Sequence, residues 1–156
     1  MSSRKSWREK LAHSKGLPKV DPICGNMTRR WGEGTMVIPA PLEVDEIMRQ
    51  VPPGRLITIR EIRTRLAERH DADVTCPITT GIFAWIAAHA AEEAAAEGET
   101  ETTPYWRTLK TGGELNPKYP GGIEALKQRL ESEGHRVVTR GKRYFVDSYD
   151  TRLVEG

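Results

Sequence analysis

The sequence predicts a mainly α-helical protein, a winged helix-turn-helix with a small β-hairpin. Apolar residues recur at helical spacing in four segments between residues 41 and 134, and a short loop joins the second segment to the third. Near the C-terminus, alternating residues on both sides of Arg140 and Gly141 predict a hairpin. A hairpin that follows a helix-turn-helix would form its wing or a small sheet beside the wing.

Length and charge place this fold within the chain. The 156 residues suit one domain with an additional segment, so we divide them into an irregular basic arm over 1–40, the winged-helix domain over 41–150 and a tail over 151–156. The net charge is only +2, but the first 35 residues hold eight Lys or Arg against three acids, which favours a basic face there.

Several classes of protein are not indicated. No apolar run approaches the roughly 20 residues that span a bilayer, and the first residues lack an apolar signal core, so we expect a cytoplasmic protein with no membrane partner. Cys24 and Cys76 do not form a disulfide framework, and the four histidines lack ligand spacing. We therefore expect no metal and no cofactor.

The first two helices of the domain have clear boundaries. Pro41 opens the first, because the N–H that proline lacks would be unpaired at that position, and the Pro-Pro-Gly at 52–54 ends it. Residues 56–57 are too short for more than a brief extended link. Thr58 and Glu61 form a capping box that begins the second helix, which extends to about His70.

The third helix is predicted to be capped by Thr79 or Thr80 and to run through Ala96. Its apolar stripe consists of Ile82, Phe83, Ile86, Ala87 and Ala90. Trp85 lies off that stripe, where it could contact a DNA groove or a partner, and we expect the N-terminal arm or the loop at 99–122 to cover it. A fourth helix is predicted from Ile123 to Gly134.

Five motifs between residues 42 and 146 resemble, in order, those of the C-terminal domain of O6-alkylguanine-DNA alkyltransferases and of the alkyltransferase-like proteins. They are V-P-P-G-R-L-I-T at 51–58, Pro77 with the small residues and long helix after it, P-Y-W-R at 104–107, Y-P-G-G at 119–122 and L-E-S-E-G at 130–134. Each motif is weak alone, but their order implies the winged-helix fold, with the helix from Thr79 as recognition helix.

The residues that carry the family's chemistry are replaced. Tyr105 stands at the position of the alkyl-accepting cysteine, and a phenol with a pKa near 10 is a poor nucleophile at pH 7. Trp106 replaces the neighbouring histidine, so Glu133, which matches the acid that supports this histidine, has nothing left to support. Gly81 replaces the arginine that enters the base stack, and Ile59 replaces the tyrosine that turns the phosphate.

Alkyltransferase-like proteins bind alkylated guanine in DNA without repairing it and flag the lesion for excision repair. The resemblance therefore implies a non-catalytic, repair-linked protein whose partners are double-stranded DNA, including DNA with O6-alkylguanine, and a repair protein. It implies a residual pocket lined by Tyr105, Trp106, Arg107, Tyr119, Gly121 and Gly122. DNA contacts are expected from Thr79, Thr80, Gly81, Arg60, Arg63, Lys110 and Lys118.

Alternatives stay open at each of these positions. Tyr105 and Trp106 fill the pocket in one interpretation and line it in the other, and the small residues at 79–81 serve either phosphate binding or close helix packing. Cys76 precedes a helix N-terminus, where a thiol pKa is lowered, so it is either a displaced alkyl acceptor or a buried structural cysteine. A protein-interaction module that has lost DNA binding is a further alternative.

Overall fold

The computed structural model describes residues 6–14, 16–23 and 34–154, and these are mainly α-helical, as predicted. The five helices of this part of the chain are α1 (Trp7–Ala12), α2 (Pro41–Arg49), α3 (Ile59–Arg69), α4 (Pro77–Ala96) and α5 (Gly122–Ser132). Single turns of 3-10 helix lie at Tyr105–Arg107 and Tyr149–Thr151. No helix in the described ranges is long and apolar enough to cross a membrane.

Short strands form three small sheets. One has the order β1 (Lys19–Pro22), β2 (Thr35–Ile38), β4 (Val74–Thr75), with β1 antiparallel and β4 parallel to β2. In the second, β3 (Ile57–Thr58) pairs in parallel with β5 (Thr108–Leu109). In the third, β6 (Val137–Arg140) is antiparallel to β7 (Arg143–Val146), with Arg140 opposite Arg143, so the predicted hairpin is confirmed.

The N-terminal arm is more regular than predicted. Its described part contains α1, β1 and β2, and the side chains and N–H groups of Ser6 and Glu9 cap α1 reciprocally. These elements are four to six residues long, which is shorter than the window in which periodicity appears. The first residues of the tail pair with the backbone of Leu56. The Leu56 N–H donates to Arg152 O, and the Leu56 carbonyl accepts the N–H of Val154, both at 2.9 Å.

The core is built around α4, which packs against α1, α2 and α3. The buried face of α4 consists almost entirely of alanines, including Ala84, Ala87, Ala88 and Ala91. Because alanine projects only a Cβ, the neighbouring helices approach the α4 backbone closely. The predicted apolar stripe is therefore wrong in part: Ala87 and Ala90 are buried, but Ile82 points outward.

The start of α3 is confirmed, whereas that of α4 is corrected. The carboxylate of Glu61 accepts the N–H of Thr58 at 3.0 Å, which is the bond by which the N3 side chain of a capping box reaches back to the N-cap, and it also accepts the Thr58 hydroxyl. Helix α4 begins earlier than predicted, with Pro77 as its first residue and Cys76 as its N-cap. Thr80 is inside the helix, where its hydroxyl donates to Cys76 O at 2.7 Å, so it is not the cap.

Candidate DNA-binding surface

The first turns of α4 face the loop at 110–118 across a concave surface. This surface consists of two adjoining cavities of about 520 and 330 Å³, which share Gly81, Lys110 and Asn116 in their linings. We call the lining of both cavities the α4 surface. On one side of Gly81 it includes Ile78, Ile82, Trp85 and Lys118, and on the other side Ile59, Glu114, Tyr119 and Arg143.

Two isoleucines project from α4 into the larger cavity. Ile78 is 66% and Ile82 47% exposed, and their spacing of four residues places them on one face of the helix. An apolar patch with polar groups around it is typical of a binding site. Ile82 was predicted to lie on the buried stripe and Ile78 was not predicted to lie at the site, although their spacing of four residues is present in the sequence.

The charged residues of the α4 surface are predominantly basic. Lys110, Lys118 and Arg143 lie on it together with one acid, Glu114. Arg143 Nη2 donates to Glu114 Oε1 at 2.7 Å, and Lys110 Nζ lies 3.7 Å from the same oxygen. The hydrogen bond from Arg143, more than any other interaction, lowers the pKa of Glu114. The acid is therefore ionised and neutralised, and the surface keeps a positive balance.

Gly81 is not required for helix packing. A Cβ built at this position meets no atom within 4 Å, so the space beside the glycine is open. It joins the two cavities instead, since it lines both. Residues 79–81 were expected to serve either phosphate binding or close helix packing, and close packing does not explain the glycine at position 81.

Replacing Gly81 by alanine is expected to increase the free energy of unfolding by about 0.5–1 kcal/mol, because glycine in a helix interior costs that much relative to alanine. Urea denaturation of the variant and the wild-type protein measures the difference. A loss of stability would mean that a neighbouring group does approach Gly81, and it would restore the packing interpretation.

Tyr105 lies in the core and does not form the wall of an open pocket. It is 3% exposed, its hydroxyl donates to Glu92 Oε2 at 3.0 Å, and its ring meets that of Tyr119 edge-on at 6.0 Å. Burial, together with the contact to Glu92, raises the pKa of Tyr105 to about 12. Such a hydroxyl stays protonated at neutral pH.

Trp106 and Arg107 are held by Glu133, so the expectation that this acid has nothing to support is wrong. Arg107 Nε and Nη2 donate to the Glu133 carboxylate at 3.0 and 2.7 Å, and Trp106 Nε1 donates to it at 3.0 Å. The Arg107 Nη1 donates to Val51 O at 2.8 Å, and the guanidinium of Arg129 lies 4.3 Å from the Trp106 ring centroid. Both side chains therefore brace the fold.

The glycines of the Y-P-G-G motif have a local structural reason. Gly121 and Gly122 have φ of 81° and 69°, and Gly121 is the N-cap of α5. A Cβ at Gly121 would lie 2.5 Å from the Cβ of Ala125. These glycines form the turn between Tyr119, which is buried beside the smaller cavity, and α5.

The other predicted DNA contacts are divided between surfaces. Gly81, Lys110 and Lys118 belong to the α4 surface, but Arg60 and Arg63 line a separate cavity of about 210 Å³. Arg63 Nε donates to Thr75 O at 3.0 Å, and burial lowers the pKa of its guanidinium, so Arg63 ties α3 to β4.

Two threonines were also expected to contact DNA. Thr80 is fully buried and does not contact a ligand with its side chain, which corrects that prediction. Thr79 is half-buried, and its hydroxyl lies 3.0 Å from the sulfur of Cys76.

Cys76 is a packed residue. It is 8% exposed and belongs to a small cluster with Ile23 and Met36. This environment favours the structural interpretation of Cys76 over that of a displaced alkyl acceptor. Cys24 lies outside the described residues. Within the described ranges, no three His, Cys, Asp or Glu side chains form a group that could hold a metal ion.

Trp85 is covered by both segments that the sequence analysis considered. The Trp7 ring packs edge-on against it at 4.7 Å and stacks on His89 at 4.5 Å. From the loop side, Lys118 O accepts hydrogen bonds from Trp85 Nε1 and His89 Nε2, each at 3.2 Å. This cluster connects α1 to one wall of the α4 surface.

Comparison with known proteins adds two solved structures. No family model and no curated protein matches the chain. The chain is similar to S. pombe Atl1 in complex with damaged DNA containing O6-carboxymethylguanine, at 18% identity over 74% of this chain and 94% of that chain, with a TM-score of 0.49. A second structure, of S. pombe ATL in complex with DNA, gives 17% identity over the same shares and a TM-score of 0.47. At these values neither likeness establishes a shared activity.

Proposed function

We propose that this chain is a non-catalytic double-stranded DNA-binding protein and that the α4 surface is its DNA-binding site. The observation that carries the proposal is the exposed pair Ile78 and Ile82, which lies in a concavity whose charged lining is mainly basic. In this proposal α3 and α4 are the two helices of a helix-turn-helix, and the β6–β7 hairpin is its wing.

The surface divides its contacts as a DNA-binding site requires. The start of α4 lies in or against a groove, where the isoleucines meet base edges, and apolar side chains there contact groups such as the thymine methyl. Lys110, Lys118 and Arg143 reach the phosphates, which fix the position of the protein and supply most of the affinity. Asn116 also lines this surface, and its side-chain amide group can donate to a base edge or a phosphate while its Oδ1 accepts the Lys118 N–H.

The finer proposal is recognition of alkylated or distorted duplex in a repair-linked role. Its support is the sequence resemblance, five motifs in family order, and not the geometry of the pocket at 104–107. The high pKa of Tyr105 and the burial of Cys76 favour binding without alkyl transfer. A labelled O6-methylguanine duplex that transferred its methyl group to Cys76 would overturn the non-catalytic part of the proposal.

Fluorescence anisotropy of a labelled duplex, with and without one O6-methylguanine, tests the proposal at two salt concentrations. We expect binding that weakens steeply with salt, and Lys110→Ala and Lys118→Ala should each reduce the slope of log K against log salt by about 1. Lys127→Ala, on α5 and outside the lining of the α4 surface, is the control and should leave the slope unchanged.

Each outcome of this titration has a distinct meaning. Tighter binding to the modified duplex would support lesion recognition, and equal salt-dependent binding would leave general DNA binding. Absence of binding to both duplexes would overturn the proposal, and the exposed isoleucines would then favour the protein-interaction alternative.

A further inference from the structure

We propose that α1 is a positioning element for the α4 surface, and that Trp7 is the residue through which it acts. Trp7 holds Trp85 and His89 against the carbonyl of Lys118, and this contact fixes the loop that carries Lys118 and Asn116. The inference rests on the proposed function of the α4 surface and adds a part of the chain that the DNA would not touch.

Specific polar contacts fix α1 on α4. The N–H groups in the first turn of a helix have no partner within it. Here the carboxylate of Glu93, on α4, accepts those of Trp7 and Arg8 at 3.3 and 3.0 Å. The Arg8 guanidinium also pairs with Glu97 and, at 2.6 Å, with Glu99. A helix of six residues is marginal alone, so these contacts set both its presence and its orientation.

The docked helix places the Trp7 ring between two side chains of α4. Trp7 stacks on His89 with an angle of 23° between the ring planes, and it meets Trp85 at 83°. Residues 85 and 89 are four apart on α4, so a single ring contacts both across one turn of the helix. Loss of the Trp7 ring would free both side chains to adopt other rotamers.

The side chains of Trp85 and His89 both form a hydrogen bond with one backbone atom of the loop, Lys118 O. Trp85 Nε1 and His89 Nε2 donate to Lys118 O, which uses both of its lone pairs, and Nε2 carries the hydrogen because a carbonyl only accepts. The N–H of Lys118 in turn donates to Asn116 Oδ1 at 3.0 Å. A continuous series of contacts therefore runs from Trp7 to Asn116 and Lys118, which line the cavity around Ile78 and Ile82.

The experiment compares Trp7→Ala and Trp7→Phe with wild-type protein, using the duplex affinity and amide hydrogen exchange of Asn116, Lys118 and Tyr119. We expect Trp7→Ala to raise the exchange rates of the Lys118 and Tyr119 amides and to weaken DNA binding by about 2- to 30-fold. Trp7→Phe keeps an aromatic ring and should leave both the exchange rates and the duplex affinity close to those of the wild-type protein. Leu126→Ala, a core truncation on α5, controls for a general loss of stability.

Unchanged exchange of the Lys118 and Tyr119 amides in Trp7→Ala would overturn the inference, and so would an equal increase of their exchange in Leu126→Ala. Trp85→Phe provides a second route if Trp7→Ala does not fold, because it deletes the donor to Lys118 O and keeps a ring. It should raise the same exchange rates, and failure to do so would contradict the role of this hydrogen bond. If wild-type protein binds no DNA, the proposed function fails, while the exchange data still decide whether α1 positions the loop.

Discussion

Replacing Glu133 by alanine is expected to lower the free energy of unfolding by about 3 kcal/mol, because removal of one partner from a buried ion pair leaves the other charge uncompensated. The side chains of Arg107 and Glu133 are only 11% and 12% exposed, and three donor atoms of Trp106 and Arg107 end on this carboxylate. Urea denaturation measures the loss. Glu131→Ala, two residues earlier and exposed, should change stability by less than about 0.5 kcal/mol.

The same network gives the protein an acid-sensitive component of stability. Burial raises the pKa of Glu133, but the hydrogen bonds from Arg107 and Trp106 outweigh it, so the folded-state pKa lies below the ordinary value. A lowered carboxylate pKa contributes stability that is fully present above the unfolded value of about 4.3 and is lost as pH falls through the folded value. Glu133→Ala should therefore remove part of the decline of the free energy of unfolding below about pH 4.3. A pH dependence of unfolding that is unchanged in the variant would contradict this assignment.

The double variant Glu133→Ala/Arg107→Met separates the pair from its individual charges. If the loss in Glu133→Ala comes from an unpaired guanidinium, removal of that guanidinium should recover part of it. A double variant that is as unstable as the sum of the two single variants would show that Glu133 and Arg107 act independently.

The elements that sequence reasoning predicted well are those with local signals. Proline at position 41, the Thr58–Glu61 box and the turn at Arg140-Gly141 each act within a few residues, so the starts of α2 and α3 and the hairpin follow from them. Strands β1 and β2 carry no comparable signal, because β2 is held by pairing with β4, nearly 40 residues away in the chain. Such contacts depend on the tertiary structure.

The orientation of α4 was unpredictable for a different reason. The helix is apolar on all sides, so periodicity does not distinguish the buried alanine face from the face that carries Ile78 and Ile82. Close approach of α2 selects the alanines for the interior and leaves the larger side chains outside. The resemblance placed Gly81 and Lys118 near the proposed site, but it left open whether Tyr105 lines or fills the pocket, because the hydrogen bond from Tyr105 to Glu92 that decides for filling depends on the tertiary structure.

Replacing Ile78 by aspartate is expected to weaken DNA binding by about 30-fold or more, since it puts a carboxylate where the proposal places the edge of a polyanion. The same change should not lower stability. Ile78 is the second residue of α4, directly after Pro77, where an acidic side chain interacts favourably with the N-terminal end of the helix dipole, by roughly 0.3–1 kcal/mol. Affinity and stability should therefore change in opposite directions.

Helix α2 offers a matched control for this substitution. Leu42 is also the second residue of a helix that begins with proline, and it is 50% exposed compared with 66% for Ile78. Leu42→Asp adds the same charge at an equivalent helix position but outside the lining of the α4 surface, so it should leave the duplex affinity within about twofold of wild type. Equal losses of duplex affinity in the two variants would mean that the change in net charge alone weakens binding. A loss confined to Ile78→Asp would mean that the start of α4 meets the DNA directly, because salt-dependent attraction alone does not distinguish these two positions.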